Sequence, residues 1–451
     1  MAKWMRVSIF GGLLVLLPRL AAAGLFPEGA AFTVELTSGG SQQQPRQASR
    51  LEGNPSHLVV VWQGPGSGGD ADIFARVYDP AAVAQTGEIP VNTYTAGEQS
   101  HPVAAQITAN TFLVVWQGPS DGVDSGSDIH GRYFRRDGTA LSQEFLFNST
   151  LVGNQDSPAV VGNRDGDYVV VWRSDAQDGS GGGIYGRYLG YQGPVTAEIR
   201  INTTVAGEQS HPAVAVAEYP EPTYFVAWQG PDGSGNGIFL QRVGRDGVLL
   251  GSEIPVSAEL PLTQEKPALV ASSVFDTGPG ASLNRLVLAW EGPDPSTVPP
   301  NRKRIFFRTA DLDGLLLTPA AVIDTDPGHP DQSEVQLAIA NLLVDGTIPF
   351  LAAFTESDPA QPGGSVARWA ERPSSGPQPA GNHLAWLSPP GTAGLAGSLG
   401  YDNSGDMVGI WQEDRNPPGL DWGIRGQRFR RSLFADDFES GDTGAWSLTV
   451  P

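Results

Sequence analysis

Residues 102–148 read PVAAQITANTFLVVWQGPSDGVDSGSDIHGRYFRRDGTALSQEFLFN, and four short runs within them decide the fold. The runs are VAAQI after Pro102, FLVVWQ ending at Gln117, IHGRYF from Ile129 and EFLFN from Glu144. Each is strand length and rich in Val, Ile or aromatics, and Gly, Asp, Asn and Pro separate them, which is the punctuation of strands joined by turns.

Working outward, the second run returns as VVVWQ ending at Gln63, VVVWR at Arg173, FVAWQ at Gln229, VLAWE at Glu291, LAAFT at Thr355 and VGIWQ at Gln412. The aromatics Trp62, Trp116, Trp172, Trp228, Trp290, Phe354 and Trp411 are 54 to 64 residues apart. The third run returns at Ile73, Ile184, Ile238, Ile305, Val366 and Ile424. The fourth returns at Glu88, Glu198, Glu253 and Ala321, and at His383 in the sixth unit. Four antiparallel strands repeated seven times at this period predict an all-β, seven-bladed β-propeller of four-stranded antiparallel blades around a channel. Ala104, Ala105, Ala213 and Ala215 place small side chains on the innermost strands. The recurrent Trp belongs between adjacent blades, where its area is buried.

The seventh unit lacks a fourth strand, and AFTVEL, Ala31–Leu36, stands alone ahead of the first. Pairing it with the strand at Ile424 would join the two ends of the chain and remove the open edges of the ring. The expected organisation is a propeller over residues 31–431 and a C-terminal tail over residues 432–451. The protein is expected to be a monomer.

Residues 1–23 carry Lys3 and Arg6, the apolar stretch Val7–Leu17 and then Ala21-Ala22-Ala23, the order of a secretory signal peptide. That stretch is shorter than the roughly 20 residues of a membrane-spanning helix, so export without membrane insertion is expected. The formal charge is -21, from 49 acids and 28 bases; cleavage after Ala23 removes three cations and no acid, leaving -24. Such a surface repels nucleic acid and anionic membrane. With no cysteine, the fold does not depend on the redox state of its compartment.

The repeat resembles those of secreted bacterial β-propeller proteins, VVVWQ followed by DGSG, IYGQRF and EFQVN, over residues 31–429 and most clearly in the first four units. The resemblance implies the fold and an extracellular or cell-surface setting, and brings no catalytic residues. FADDFESGDTGAWSL from Phe434 resembles a stretch near the C-termini of secreted proteobacterial proteins, read either as part of a further module or as a sorting tail.

Oxygen-rich loops follow the second strands: GPGSGGDAD from Gly64, GPSDGVDSGSD from Gly118, SDAQDGSGGG from Ser174 and GPDGSGNG from Gly230. Calcium takes six to eight hard oxygens, and Asp121, Asp124, Asp128, Asp175 and Asp178 are the best-supplied candidates. The same residues also make ordinary hairpin turns. TAGEQSHP from Thr95 and VAGEQSHP from Val205 precede the innermost strands. Topology puts them on the same face as the Asp-rich loops, so Glu98, His101, Glu208 and His211 are candidate ligand contacts. The Gln residues of these loops, Gln99, Gln155 and Gln209, are expected to satisfy buried backbone.

Arg76, Arg132, Arg187 and Arg308 share one register, and Glu88, Glu144, Glu198 and Glu253 are expected as their cross-strand partners. Asn148-Ser149-Thr150 and Asn202-Thr203-Thr204 match the glycosylation sequon. There is no G-x-S-x-G, no H-E-x-x-H and no Walker loop. The sialidase-type Ser-x-Asp-x-Gly-x-x-Trp turn is also absent, SDAQDGSGGG lacking its Trp. Repeating loops are those of a scaffold, so the expected function is a secreted, non-enzymatic binding module for a protein or glycan. The alternative is a polysaccharide-processing enzyme, a glycoside hydrolase or lyase, at the channel, where the fifth and sixth units diverge around Glu291, Asp294, Glu356 and Asp358.

Overall fold

The computed structural model describes residues 24–432 apart from 38, 49–56, 121–125, 176, 191–192, 195, 219–220, 273–283, 295–301, 325–330, 340–348, 358–364, 374–383, 387–393, 402–405 and 416–420. The expected signal segment, residues 433–451 of the expected tail, and Asp121, Asp124, Asp358 and His383 lie outside the described residues.

Residues 100–146 form one sheet, Ser100–Thr108, Thr111–Pro119, Ser127–Arg135 and Phe145–Leu146, paired in chain order. Six further antiparallel blades follow the same plan, and in the third the outer strand is split into Gly193–Pro194 and Ile199–Arg200. Each blade's first strand lies against the first strand of the next. Gln43–Gln47 of blade one lies against Gly394–Tyr401 of blade seven, which completes the ring around a channel. Among the described residues no helix is long and apolar enough to cross a membrane.

The recurrent aromatic holds neighbouring blades together. The six Trp and Phe354 are at most 1% exposed. Each packs into the preceding blade: Trp116 against Val59, Val61 and Ile73, and Trp411 against Leu351 and Ala353. Behind several of them a third-strand ring stacks, as His130 does on Trp116 at 5.8 Å and Phe306 on Trp290 at 6.3 Å between centroids.

Closure occurs where the sequence predicts it, over a longer strand. Gly24–Thr33 pairs antiparallel with Trp422–Ser432, with Phe32 opposite Gly426 and Thr33 opposite Arg425. Val34 N–H then donates to Ile424 O at 2.9 Å. From Glu35 the chain leaves the ladder, and the Glu35 carboxylate accepts the Ile424 N–H at 2.8 Å.

The expected Arg–Glu pairs are replaced by two separate clips. Arg132 Nε donates to Ser142 O and its NH1 to Val91 O of the preceding blade, at 3.1 and 2.8 Å. Arg76 and Arg308 repeat this with Val34 O and Val256 O. The glutamates instead close the turn after the preceding blade's outer strand, Glu144 accepting the Thr93 and Tyr94 N–H groups and Glu253 those of Thr203 and Thr204. The two residue types face different partners because each reaches sideways into the neighbouring blade.

Candidate functional site

Each innermost strand opens with a bulge. Ser100 pairs with Gln117 and Val103 with Val115, so His101 and Pro102 lie opposite Trp116 alone. The bulge residue is left-handed in six blades, Gln44, His101, Ser157, His211, Lys266 and Glu334, with φ between 50° and 58°. A side chain at such a φ costs roughly 1–3 kcal/mol unless its surroundings hold it. The neighbouring blade does this through a side-chain oxygen on the bulge N–H. Gln229 Oε1 accepts from Lys266 at 2.8 Å, Glu291 Oε1 from Glu334 at 2.8 Å and Gln117 Oε1 from Ser157 at 3.4 Å. His101 N–H donates to Gln44 Oε1 at 2.9 Å. In four blades the polar residue that follows the recurrent aromatic, Gln117, Gln229, Glu291 or Gln412, therefore braces the bulge of the next blade at the channel mouth.

His101 and His211 are on this ring, Glu98 and Glu208 at its rim. Each histidine has Nδ1 3.2 Å from the preceding serine hydroxyl, Ser100 or Ser210. Desolvation depresses both imidazole pKa values; Arg46 adds to this at His101 and Lys266 at His211, while Asp156 opposes at both. Glu98 accepts Gln63 Nε2 at 3.0 Å. Glu208 is bound by Arg173 and accepts Gly182 N–H at 2.8 Å. Burial would raise the Glu208 pKa, but these contacts hold it below the usual carboxylate range.

Arg173 replaces the recurrent Gln in blade three and gathers Asp156 at 2.8 Å and Asp175 at 2.6 Å in addition to Glu208. The guanidinium has no acceptor to offer His211 N–H. The fifth and sixth blades diverge similarly. Glu291, 1% exposed in its side chain, lies 3.3 Å from Lys266 and 3.4 Å from Lys303, and Glu356 lies 3.4 Å from Arg368. Asp294 is 3.4 Å from Arg304.

The acidic-loop candidates among the described residues, Asp128, Asp175 and Asp178, each have a separate partner. Asp128 is buried, and its Oδ1 accepts Asn148 Nδ2 at 2.6 Å while Asn148 Oδ1 accepts Ile129 N–H at 2.8 Å. Blade one repeats this with Asp72, Asn92 and Ile73. Asp175 faces Arg173, and Asp178 Oδ1 accepts Ser180 N–H at 3.1 Å within its own turn. Among the described residues no three His, Asp or Glu side chains are grouped to hold a metal ion. Asn148 and Asn202 are 4% and 1% exposed with their amides bonded, so neither sequon presents its amide to a glycosylating enzyme in the folded chain.

Sequence reasoning missed the brace and Arg46. The brace had a signal, a polar residue after the aromatic in every unit. Gln155 and Gln209 donate to backbone as expected, to Val152 O at 3.3 Å and Ala206 O at 3.1 Å, whereas the Gln99 side chain accepts the Trp116 indole N–H at 2.9 Å.

No family model matches the chain, and no curated protein does. Solved structures similar to it include a protein of unknown function from Dyadobacter fermentans at 10% identity, with 91% of this chain and 100% of that one covered and a TM-score of 0.46. A polysaccharide lyase, an ulvan lyase, shares 10% identity over 89% of this chain and 94% of its own, with a TM-score of 0.49. The β-propeller domain of the Trilobed protease from Pyrococcus furiosus shares 8% over 89% and 97%, with a TM-score of 0.47. Likenesses this distant carry no argument about the chemistry of this chain.

Proposed function

We propose that the protein is an interaction module that works outside the cell and binds a protein or glycan at the channel mouth without turning it over. One observation carries this reading: among the described residues, carboxylates of the mouth are engaged by the protein's own donors. Asp156, Asp175 and Glu208 face Arg173, Glu265 and Glu291 face lysines, Glu334 Oε2 accepts Thr355 Oγ1 at 3.2 Å and Glu356 faces Arg368. A general acid must hold its proton near neutral pH, whereas Arg173 keeps Asp175 and Glu208 below the usual range. What the mouth offers a ligand is a rigid ring of Gln, His, Ser and Lys donors and acceptors.

The test is a panel of glycans and peptides incubated with the whole protein, with binding and product release both measured. Saturable binding without products is expected. Turnover that disappears in Glu356→Gln would overturn the proposal in favour of a polysaccharide-processing enzyme.

A further inference from the structure

One inner-strand position breaks the repeat inside the channel. The residue paired opposite the one before each aromatic is Arg46, Val103, Ala159, Ala213, Ala268, Gln336 and Ser398 in blades one to seven. Six are small or uncharged, and the seventh is a guanidinium. Arg46 NH1 donates to Pro45 O at 3.0 Å and to Gly397 O of blade seven at 3.2 Å. Its charge is felt at His101 on blade two, and it feels that of Glu334 on blade six. Bonded to blade seven and near enough to blades two and six for their charges to act on one another, the side chain lies toward the channel.

Arg46 differs from the other cations here. Arg173, Lys266, Lys303 and Arg368 each have a carboxylate within 3.4 Å. Arg46 has none at ion-pair distance among the described residues, and its bonded acceptors, two carbonyls on NH1, leave the remaining N–H donors open. A guanidinium presents a planar fork that matches carboxylate or sulfate oxygens. Burial lowers its pKa, and Glu334 compensates only in part.

We infer that Arg46 anchors an anion site within the channel, taking a single carboxylate or sulfate group carried by an otherwise uncharged ligand. This rests on the mouth being the binding face and specifies its ligand. The single group follows from charge: a net -21 chain repels polyanions, and one cation without an ion-pair partner neutralises one anion. Val103, Ala159, Ala213 and Ala268, at the equivalent position of blades two to five, supply no competing side-chain donor. Glu334, whose charge reaches Arg46, is the internal competitor that an entering anion must outcompete.

The experiment is calorimetric titration of the whole protein with sodium sulfate, methyl glucuronoside and methyl glucoside in about 0.15 M sodium chloride, where screening over roughly 8 Å suppresses the surface field. The two anions should bind saturably and the neutral glucoside should not. A glucuronoside that binds while sulfate does not assigns the site to sugar-borne carboxylate; both binding shows that a free anion suffices. Arg46→Gln should weaken binding at least tenfold, and Glu334→Gln should strengthen it several-fold, a gain that misfolding does not mimic. No saturable anion binding by either the natural chain or Glu334→Gln, or equal binding by Arg46→Gln, overturns the site and leaves Arg46 as a clip between blades. Neutral glycans binding while both anions fail would sink this inference and leave the interaction module standing.

Discussion

The Trp116 indole nitrogen donates to Gln99 Oε1 at 2.9 Å, and that oxygen occupies the space a Cβ on Gly118 would fill. Gly64 beneath the Trp62–Gln42 bond and Gly292 beneath Trp290–Gln264 are in the same relation. In these three blades the Gly two residues after the aromatic is thus required by a buried hydrogen bond. Blade three shows the consequence of losing it. Ser174 stands at that position with its Oγ on Gln177 Oε1 at 2.7 Å, and the buried Trp172 Nε1 and Gln155 Oε1 have no partner among the described residues.

Gly118→Ala should therefore orphan two buried groups at once. Each costs about 1–3 kcal/mol when left unsatisfied, so urea denaturation should show a loss of about 2–4 kcal/mol. In a cycle with Gln99→Ala, the double variant should lose less than the sum of the singles by about 1 kcal/mol or more. Additive losses would mean that the glycine serves the turn and not the bond.

Asp128 is expected to behave as a structural residue. Its bond to Asn148 holds the amide that accepts the Ile129 N–H, so Asp128→Ala should lower stability by about 1–3 kcal/mol whether the buffer contains chelator or millimolar calcium. A loss seen only in calcium would make Asp128 a metal ligand.

The fold was legible because it is written seven times: strand length, turn residues and the aromatic each repeat, and the solitary Ala31–Leu36 run found its partner by elimination. The site was legible only as a face. His101 and His211 stood out because EQSHP occurs twice, but nothing local says that the residue before Pro is left-handed, or that Gln117 reaches Ser157 40 residues on. Arg46 shows the limit most clearly. As a sequence feature it is one arginine beside Pro45; its isolation is visible only once blades six, seven and two surround it. Asp128 misleads for the opposite reason, since burial converts a loop-like carboxylate into a strand-end partner.

The histidines set a pH dependence whose sign follows from their depressed pKa values. Between the folded pKa and the unfolded value near 6.5, the unfolded chain binds more protons, so stability rises with pH through that window and is lost as pH falls through it. Both rings reach solvent, which weakens the effect. Melting temperatures at pH 5.5 and 7.5 should differ in that direction, and the His101→Gln, His211→Gln double variant should show a smaller difference. Glu35, raised by burial, pulls the other way, and comparison between the two proteins cancels it. An unchanged or larger difference in the double variant would show that the channel does not depress these imidazoles.

Closure is the property on which the whole ring depends, and its outer seam is carried by one strand. Gly24–Thr33 supplies the outer edge of blade seven. Phe32 lies 5.4 Å from the Tyr78 ring of blade one, and Val34 O accepts from Arg76 NH1 and the Tyr78 hydroxyl at 2.7 and 3.2 Å. Removing residues 24–36 therefore strips a ladder from blade seven and the seam to blade one together, and leaves Trp422–Ser432 as an unpaired edge. The shortened chain should melt at lower temperature, with a shallower urea dependence as the ring loses its single cooperative unit, and should self-associate through the exposed strand in sedimentation. The Gln44 N–H bond to Gln412 Oε1 at 3.3 Å still joins the first and last blades on the channel side, so total unfolding is not required. A shortened chain that stays monomeric and melts like the intact protein would show that the inner seam alone closes the ring.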